Sequence, residues 1–208
     1  MYISKLELNE RNLSVRTDLG NIHKLHQRIM QAFPDIEQDK VRADWDILFR
    51  MEPDSNVVLV QSGDEVKPDW DRLPEGYLLD RQIKPFDLQS DHFRSGKLFH
   101  FRLKANPSKR NKETRKTVGL HSQPDQIAWL ERQATARGFQ IQMVDVIPTA
   151  NIFGKKKGNS ASIKIHTAIF QGILEVQDSD LLLTAVKEGI GRAKAYGCGL
   201  LSLKKIDL

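Results

Sequence analysis

The order of hydrophobic periods along the 208-residue chain predicts an α+β protein of two tandem ferredoxin-like (RRM-like) βαββαβ domains, residues 1–90 and 91–208. Two observations carry this expectation. Each half approximates strand, helix, two strands, helix, strand, and each helical stretch keeps its apolar residues on one stripe while the strands alternate. No internal repeat is readable, so element order alone suggests the duplication. At 39% hydrophobic and 28% charged residues, the chain can build its own core.

The first half opens with a broken alternation of Tyr2, Ile3, Leu6 and Leu8, which predicts a strand. Leu19, Ile22, Leu25, Ile29 and Phe33 recur at intervals of three and four, predicting a helix capped by Asp18 and ended by Pro34. Residues 46–51 and 56–61 read as a hairpin turning at Pro53-Asp54-Ser55. Residues 70–73 make at most a short helix, and residues 83–96, with Pro85 and neither period, read as a linker. In the second half, residues 98–103 predict a strand, 125–137 a helix with Ile127, Leu130 and Ala134 on one stripe, and 139–147 a strand. Residues 163–176 predict a strand broken by Gly172, 179–188 a short amphipathic helix, and 198–203 a final strand.

Several classes of protein are excluded by composition. No apolar run approaches the roughly 20 residues of a membrane-spanning helix, and the opening MYISKLELNERN is amphipathic rather than a signal peptide. A cytoplasmic protein is expected. The single cysteine, Cys198, rules out an internal disulfide and a cysteine-rich zinc site.

Charge is unevenly placed. The net charge is +5, yet residues 92–124 carry nine Lys and Arg against Glu113 alone, or +8. Residues 146–174 contain four lysines and no acid, which leaves −7 for the rest of the chain. A basic stripe on an otherwise acidic protein points to a polyanion, because fixed cations replace the counterions condensed on phosphates. The candidate contacts are Arg102, Lys104, Lys109, Arg110, Lys112, Arg115 and Lys116 in the first segment, and Lys155, Lys156, Lys157 and Lys164 in the second. A glycine-rich stretch, GIGRAKAYGCG at residues 189–199, lies between a helix and a strand. Gly189 and Gly191 permit close backbone approach, and Arg192 and Lys194 supply charge for a phosphate backbone. It is neither a dinucleotide fingerprint nor a P-loop, since its spacing and context are wrong for both.

His23 and His26, spaced i, i+3, share one helical face, where one imidazole can accept a proton while the other donates one. The same pair could contribute to a zinc site, but no HExxH motif or cysteine pair supplies the remaining ligands, so no metal and no cofactor are expected. His92, His100, His121 and His166 are scattered and read as structural or solvated. Phe99 and Phe101 alternate with His100 and Arg102; without an RNP consensus they read as core rather than as base-stacking residues, and so does Trp129.

The opening MYISKLELN, the helix HKLHQRIMQAFP, the strand and turn FRLKANPSKR, the helix QIAWLERQ and the ending GIGRAKAYGCGLLSL, in that order from residue 1 to about 203, resemble the CasE family of CRISPR-associated RNA endonucleases. That family belongs to the RAMP superfamily, whose hallmark is a glycine-rich loop late in the chain. The resemblance implies two ferredoxin-like domains, the first carrying the catalytic helix and the second the basic and glycine-rich loops. It implies cleavage of CRISPR precursor RNA at the base of each repeat stem-loop, with the guide RNA kept bound in the Cascade complex. The implied reaction is metal-independent attack by a 2′-hydroxyl, leaving a 2′,3′-cyclic phosphate and a 5′-hydroxyl. The family's catalytic histidine matches His26, in the context Leu25-His26. Most members carry a tyrosine where this chain has His23. The expected partners are the CRISPR repeat RNA, as precursor and mature guide, and the other Cascade subunits, with no membrane and a monomer in isolation. A non-catalytic RNA-binding scaffold of the same superfamily is the alternative, and only the helix histidines separate the two.

Overall fold

The structure, a computed structural model, describes residues 1–34, 44–155 and 162–206. By packing, the chain divides into two compact units. The first comprises Met1–Asp87, Ile152–Lys164 and Ala195–Gly197, and the second Leu88–Asn151, Ile165–Lys194 and Cys198–Leu208. Of the described residues, 152–155, 162–164 and 195–197 fall within the second domain as read from sequence but pack with the first unit.

The first unit holds β1 (Tyr2–Leu8), α1 (Leu13–Leu19), α2 (Ile22–Met30), β2 (Leu48–Met51), β3 (Val57–Ser62) and β4 (Leu78–Pro85). Its sheet runs β2-β3-β1-β4, all antiparallel. On β1 the alternation buries Ser4, Leu6 and Leu8 while Lys5 is exposed. The hairpin joining β2 to β3 pairs Met51 with Val58, and Asp54 at its tip takes left-handed geometry, with φ 50. Between β3 and β4 stands only a 3₁₀ turn, Trp70–Arg72. Its anchor is Trp70, 2% exposed, whose indole N–H donates to Ser4 Oγ at 3.0 Å from the core face of β1.

Three local expectations are corrected here. The helical stripe at 19–33 is two helices, broken at Gly20 and Asn21, and Asn21 rather than Asp18 caps the second. Asp18 is instead buried, accepting Arg28 Nε at 2.8 Å and the Tyr77 hydroxyl at 3.0 Å, which ties α1 to α2. Burial, then the Asp18 carboxylate, pushes the Tyr77 hydroxyl above the ordinary tyrosine range. The supposed linker begins inside an edge strand, β4, which is mostly exposed and so lacks an apolar alternation.

The second unit holds β5 (Leu98–Ala105), β6 (Ser108–Arg110), β7 (Thr117–Gly119), α3 (Gln123–Thr135), β8 (Phe139–Pro148), β11 (Ala168–Val176), α4 (Ser179–Glu188) and β12 (Leu201–Lys205). The intervening β9 (Ile152–Lys155) and β10 (Ser162–Ile165) form a two-stranded sheet of their own. The large sheet runs β12-β5-β11-β8, antiparallel throughout. In each unit the fourth strand of the motif lies beside the first and the third beside the second, the order of the ferredoxin-like fold.

Phe99, Phe101, Leu103 and Ala105 of β5 are buried with Trp129, Leu130, Phe170 and Leu182 in the second core, so Phe99, Phe101 and Trp129 are core residues. The strand expected over 163–176 is interrupted at residues 166–167, and near Gly172 the chain stays in β11 with an irregularity, its register on β8 shifting between Ile173 and Leu174. Gly172 sits within β11, where a Cβ would collide with the Met143 carbonyl oxygen. Among the described residues no helix is long and apolar enough to cross a membrane.

Candidate nuclease site and basic surfaces

α2 buries Ile22, Leu25 and Ile29 at i, i+3 and i+7. That spacing sets His23 and His26 on the neighbouring stripe, both half-buried. The Asn21 side chain starts the helix by accepting the His23 amide at 3.1 Å. The ring of Tyr196 meets both imidazoles edge-on, its centroid 6.4 Å from that of His23 and 6.3 Å from that of His26, with interplanar angles of 66° and 77°. Tyr196 itself packs on the first core. Next to it, Gly197 has φ 77, and a Cβ there would lie 3.1 Å from the Phe49 ring. The bare backbone at 197 therefore seats the strip 195–197 against β2.

A second strip meets the start of α2. Asn21 Nδ2 donates to the Lys155 carbonyl at 3.1 Å, and the Lys155 amide donates back to Asn21 Oδ1 at 3.1 Å. A Cβ on Gly154 would lie 3.0 Å from both Asn21 Oδ1 and Ile22 Cγ2, so β9 crosses α2 within the space that a side chain at 154 would press on. Lys155 is exposed and held beside the first turn of the histidine helix; Lys164, also exposed, belongs to the same unit. Lys156 and Lys157 lie outside the described residues. Of the residues that meet here, His23, His26 and Lys155 are candidates from the sequence, whereas Tyr196 and Asn21 are not among those candidates. Tyr196 carried one signal, as the sole aromatic in the glycine-rich stretch.

The remaining candidates lie in the second unit. Lys109, Arg110, Lys112, Arg115 and Lys116 are all exposed on or between β6 and β7, a hairpin pairing Ser108 with Gly119 and Arg110 with Thr117. Asn111 Oδ1 shapes its tip, accepting the amides of Glu113 and Thr114 at 2.9 Å each. Arg102 and Lys104 are half-buried and alternate with the core side chains of β5, hence on the opposite face of the sheet; Arg102 Nη2 donates to Gln171 Oε1 at 3.1 Å.

In the glycine-rich stretch, Gly189, Gly191, Gly197 and Gly199 all have positive φ. Gly189 ends α4 as its C-cap, and a Cβ on Gly191 would lie 3.0 Å from Trp129. Both glycines thus serve the turn and its packing. Arg192 is exposed and Lys194 half-buried. Burial pushes the Cys198 thiol up to about 12 against the pull of Lys104, so it is no nucleophile near neutral pH.

Of the other histidines, His92 and His100 are exposed, whereas His121 and His166 pack with ring centroids 4.2 Å apart and planes tilted by 48°. His166 Nδ1 and Nε2 lie 3.3 Å from Asn151 Oδ1 and 3.2 Å from Gln126 Nε2. Burial, followed by the charge of His121, holds His166 below the usual histidine range. Among the described residues no three His, Cys, Asp or Glu side chains gather as a metal site.

The family model described as "CRISPR associated protein" matches residues 1–205. The chain is 34% identical over 218 aligned positions to the CRISPR-associated endoribonuclease Cse3 of Thermus thermophilus, covering 98% of this chain and 99% of that one. It is 31% identical to the Cascade subunit CasE of Escherichia coli K12, covering 98% of each. The solved structure of Thermus thermophilus Cse3 bound to an RNA representing a pre-cleavage complex superposes with a TM-score of 0.83 at 31% identity, again over 98% of each chain. Matched from end to end by family model, sequence and fold, the chain belongs to the CasE family of CRISPR-associated proteins.

Proposed function

We propose that the chain is a metal-independent endoribonuclease that cleaves CRISPR precursor RNA at the base of each repeat stem-loop and then stays bound to the guide RNA as a Cascade subunit in the cytoplasm. The observation that carries this reading is the pair His23 and His26 gathered about Tyr196, in a chain 34% identical along its length to a named endoribonuclease. The RNA-bound pre-cleavage complex of that relative supports the same substrate class.

Cleavage of RNA by its own 2′-hydroxyl needs a base to take the hydroxyl proton, an acid to protonate the departing 5′-oxygen, and positive charge beside the phosphorane. Two imidazoles on one helix face can divide the first two tasks, since histidine exchanges a proton near neutral pH. His26 takes the principal role and His23 the partner role. Lys155, held beside the first turn of α2, supplies charge to the phosphorane. The bond formed is 2′-oxygen to phosphorus and the bond broken is phosphorus to 5′-oxygen. The products are a 2′,3′-cyclic phosphate and a 5′-hydroxyl.

The exposed cations of the β6–β7 hairpin hold the stem by its phosphates, because the major groove of A-form RNA is too narrow for side chains to read. Arg102, Lys104, Lys164, Arg192 and Lys194 extend the phosphate contacts, and the glycine turn at 189 and 191 admits the backbone. Labelled repeat RNA incubated with the purified protein in EDTA tests the reading. A cut at the 3′ base of the stem with a cyclic phosphate end is the expected result. Tight binding without a cut would instead make the chain a scaffold.

A further inference from the structure

Spacing i, i+3 puts the two half-buried imidazoles on one face of α2, and a side chain's orientation there depends on what it packs against. What they share is one neighbour: the Tyr196 ring, edge-on to both at 6.4 and 6.3 Å. Centroid separations below 7 Å with steep interplanar angles are the favoured geometry for aromatic pairs, so each contact selects a ring orientation. Tyr196 is in turn held from behind. It packs on the first core, and Gly197 beside it lies flush on Phe49. The neighbouring Ala193 has φ 61 and Gly199 has φ 95, so the backbone on either side is committed to an unusual path.

We propose that Tyr196 is a positioning residue for the reaction: its ring sets the orientations of His23 and His26, and it acts through them rather than on the RNA. The inference rests on the endoribonuclease reading above. It gives the glycine-rich stretch a role in the site apart from any phosphate contact, as a mount for an aromatic ring. The contact is ring to ring, so the aromatic ring and not the hydroxyl is the working part.

Three substitutions test it by single-turnover cleavage of repeat RNA, with affinity measured on the same RNA carrying a 2′-deoxy nucleotide before the scissile bond. Misplacing a catalytic group by about 1 Å costs up to about 100-fold in rate, so Tyr196→Ala should cleave about 10- to 100-fold more slowly while affinity stays within about 2-fold. Tyr196→Phe should restore the rate. Tyr196→Leu, which keeps bulk without an aromatic face, should resemble the alanine variant and takes its place if that variant does not fold. In NMR spectra of the free protein, ring-current shifts on the His23 and His26 ring protons should vanish in the Ala and Leu variants and survive in the Phe variant. A wild-type rate for Tyr196→Ala, a Phe variant as slow as Ala, or an affinity loss matching the rate loss would each overturn the proposal. His26→Ala is run alongside. If it cleaves at the wild-type rate, the reading of the site falls, and the NMR shifts still decide whether Tyr196 orients the rings.

Discussion

The two sheets share one strand order but are covered differently. Between the third and fourth strands of its motif, the second unit places α4, a full helix with Leu182, Ala185 and Val186 buried. The first unit places a single 3₁₀ turn there, secured by Trp70 to Ser4. The contrast shows that one large buried side chain with its polar atom satisfied can stand in for a helix over part of a sheet. The units also divide the residues of the proposed chemistry. His23, His26, Tyr196 and Lys155 belong to the first unit, whereas the dense hairpin of cations, Lys109 to Lys116, belongs to the second.

The division of chemistry is broken most sharply at His26. General acid or base catalysis contributes about 10² to 10⁴-fold, so His26→Ala should lose that much single-turnover rate with little change in RNA affinity. A wild-type rate would remove the active site from α2. The pH–rate profile should be bell-shaped, and His23→Tyr should lose one limb.

The contrast in covering is tested at Trp70. Trp70→Ala should cost about 3 to 5 kcal/mol, as large core truncations do, and Trp70→Phe about 1 to 3 kcal/mol for leaving Ser4 buried without its donor. Urea unfolding measures both. A silent Trp70→Ala would mean the turn is no substitute for a helix.

On the second unit, neutralising Lys109, Arg110 and Lys112 together should weaken RNA binding and reduce the slope of log affinity against log salt by about 2 to 3, since each phosphate left without its cation lowers the slope by about 0.9. Cleavage at saturating RNA should hold. If slope and affinity stay as they are, these charges are only solvated.

The smallest effect is expected at His166. With its folded value held below the ordinary histidine range, the unfolded chain takes up the proton first as pH falls. Stability is therefore fully present above about pH 6.5 and declines as pH drops through the folded value. Thermal unfolding of wild type and His166→Asn between pH 8 and 5 should converge as pH falls; a constant gap would show that His166 does not titrate this way.

Much of this fold was legible because β1, β5, α3 and α4 each bury one face and so carry a clean period. What escaped had a physical reason. β4 lies at a sheet edge and is exposed at most positions, leaving no alternation to read. The short α1 exposes Leu13 at 70%, which blurs its stripe into that of α2. In the candidate site, the i, i+3 spacing pairs the two histidines on one helix face, and the family resemblance singles out His26. Tyr196 reaches them across more than 160 residues of chain, and no local pattern reports a contact of that range.

The carboxamide of Asn21 touches three backbone groups at once: the amide of His23 and both the amide and the carbonyl of Lys155. One side chain is thus a joint between a helix and a strand more than 130 positions apart in sequence. A change at position 21 would therefore be felt at both ends of the joint at once, in the first turn of the helix and in the strand that carries Lys155.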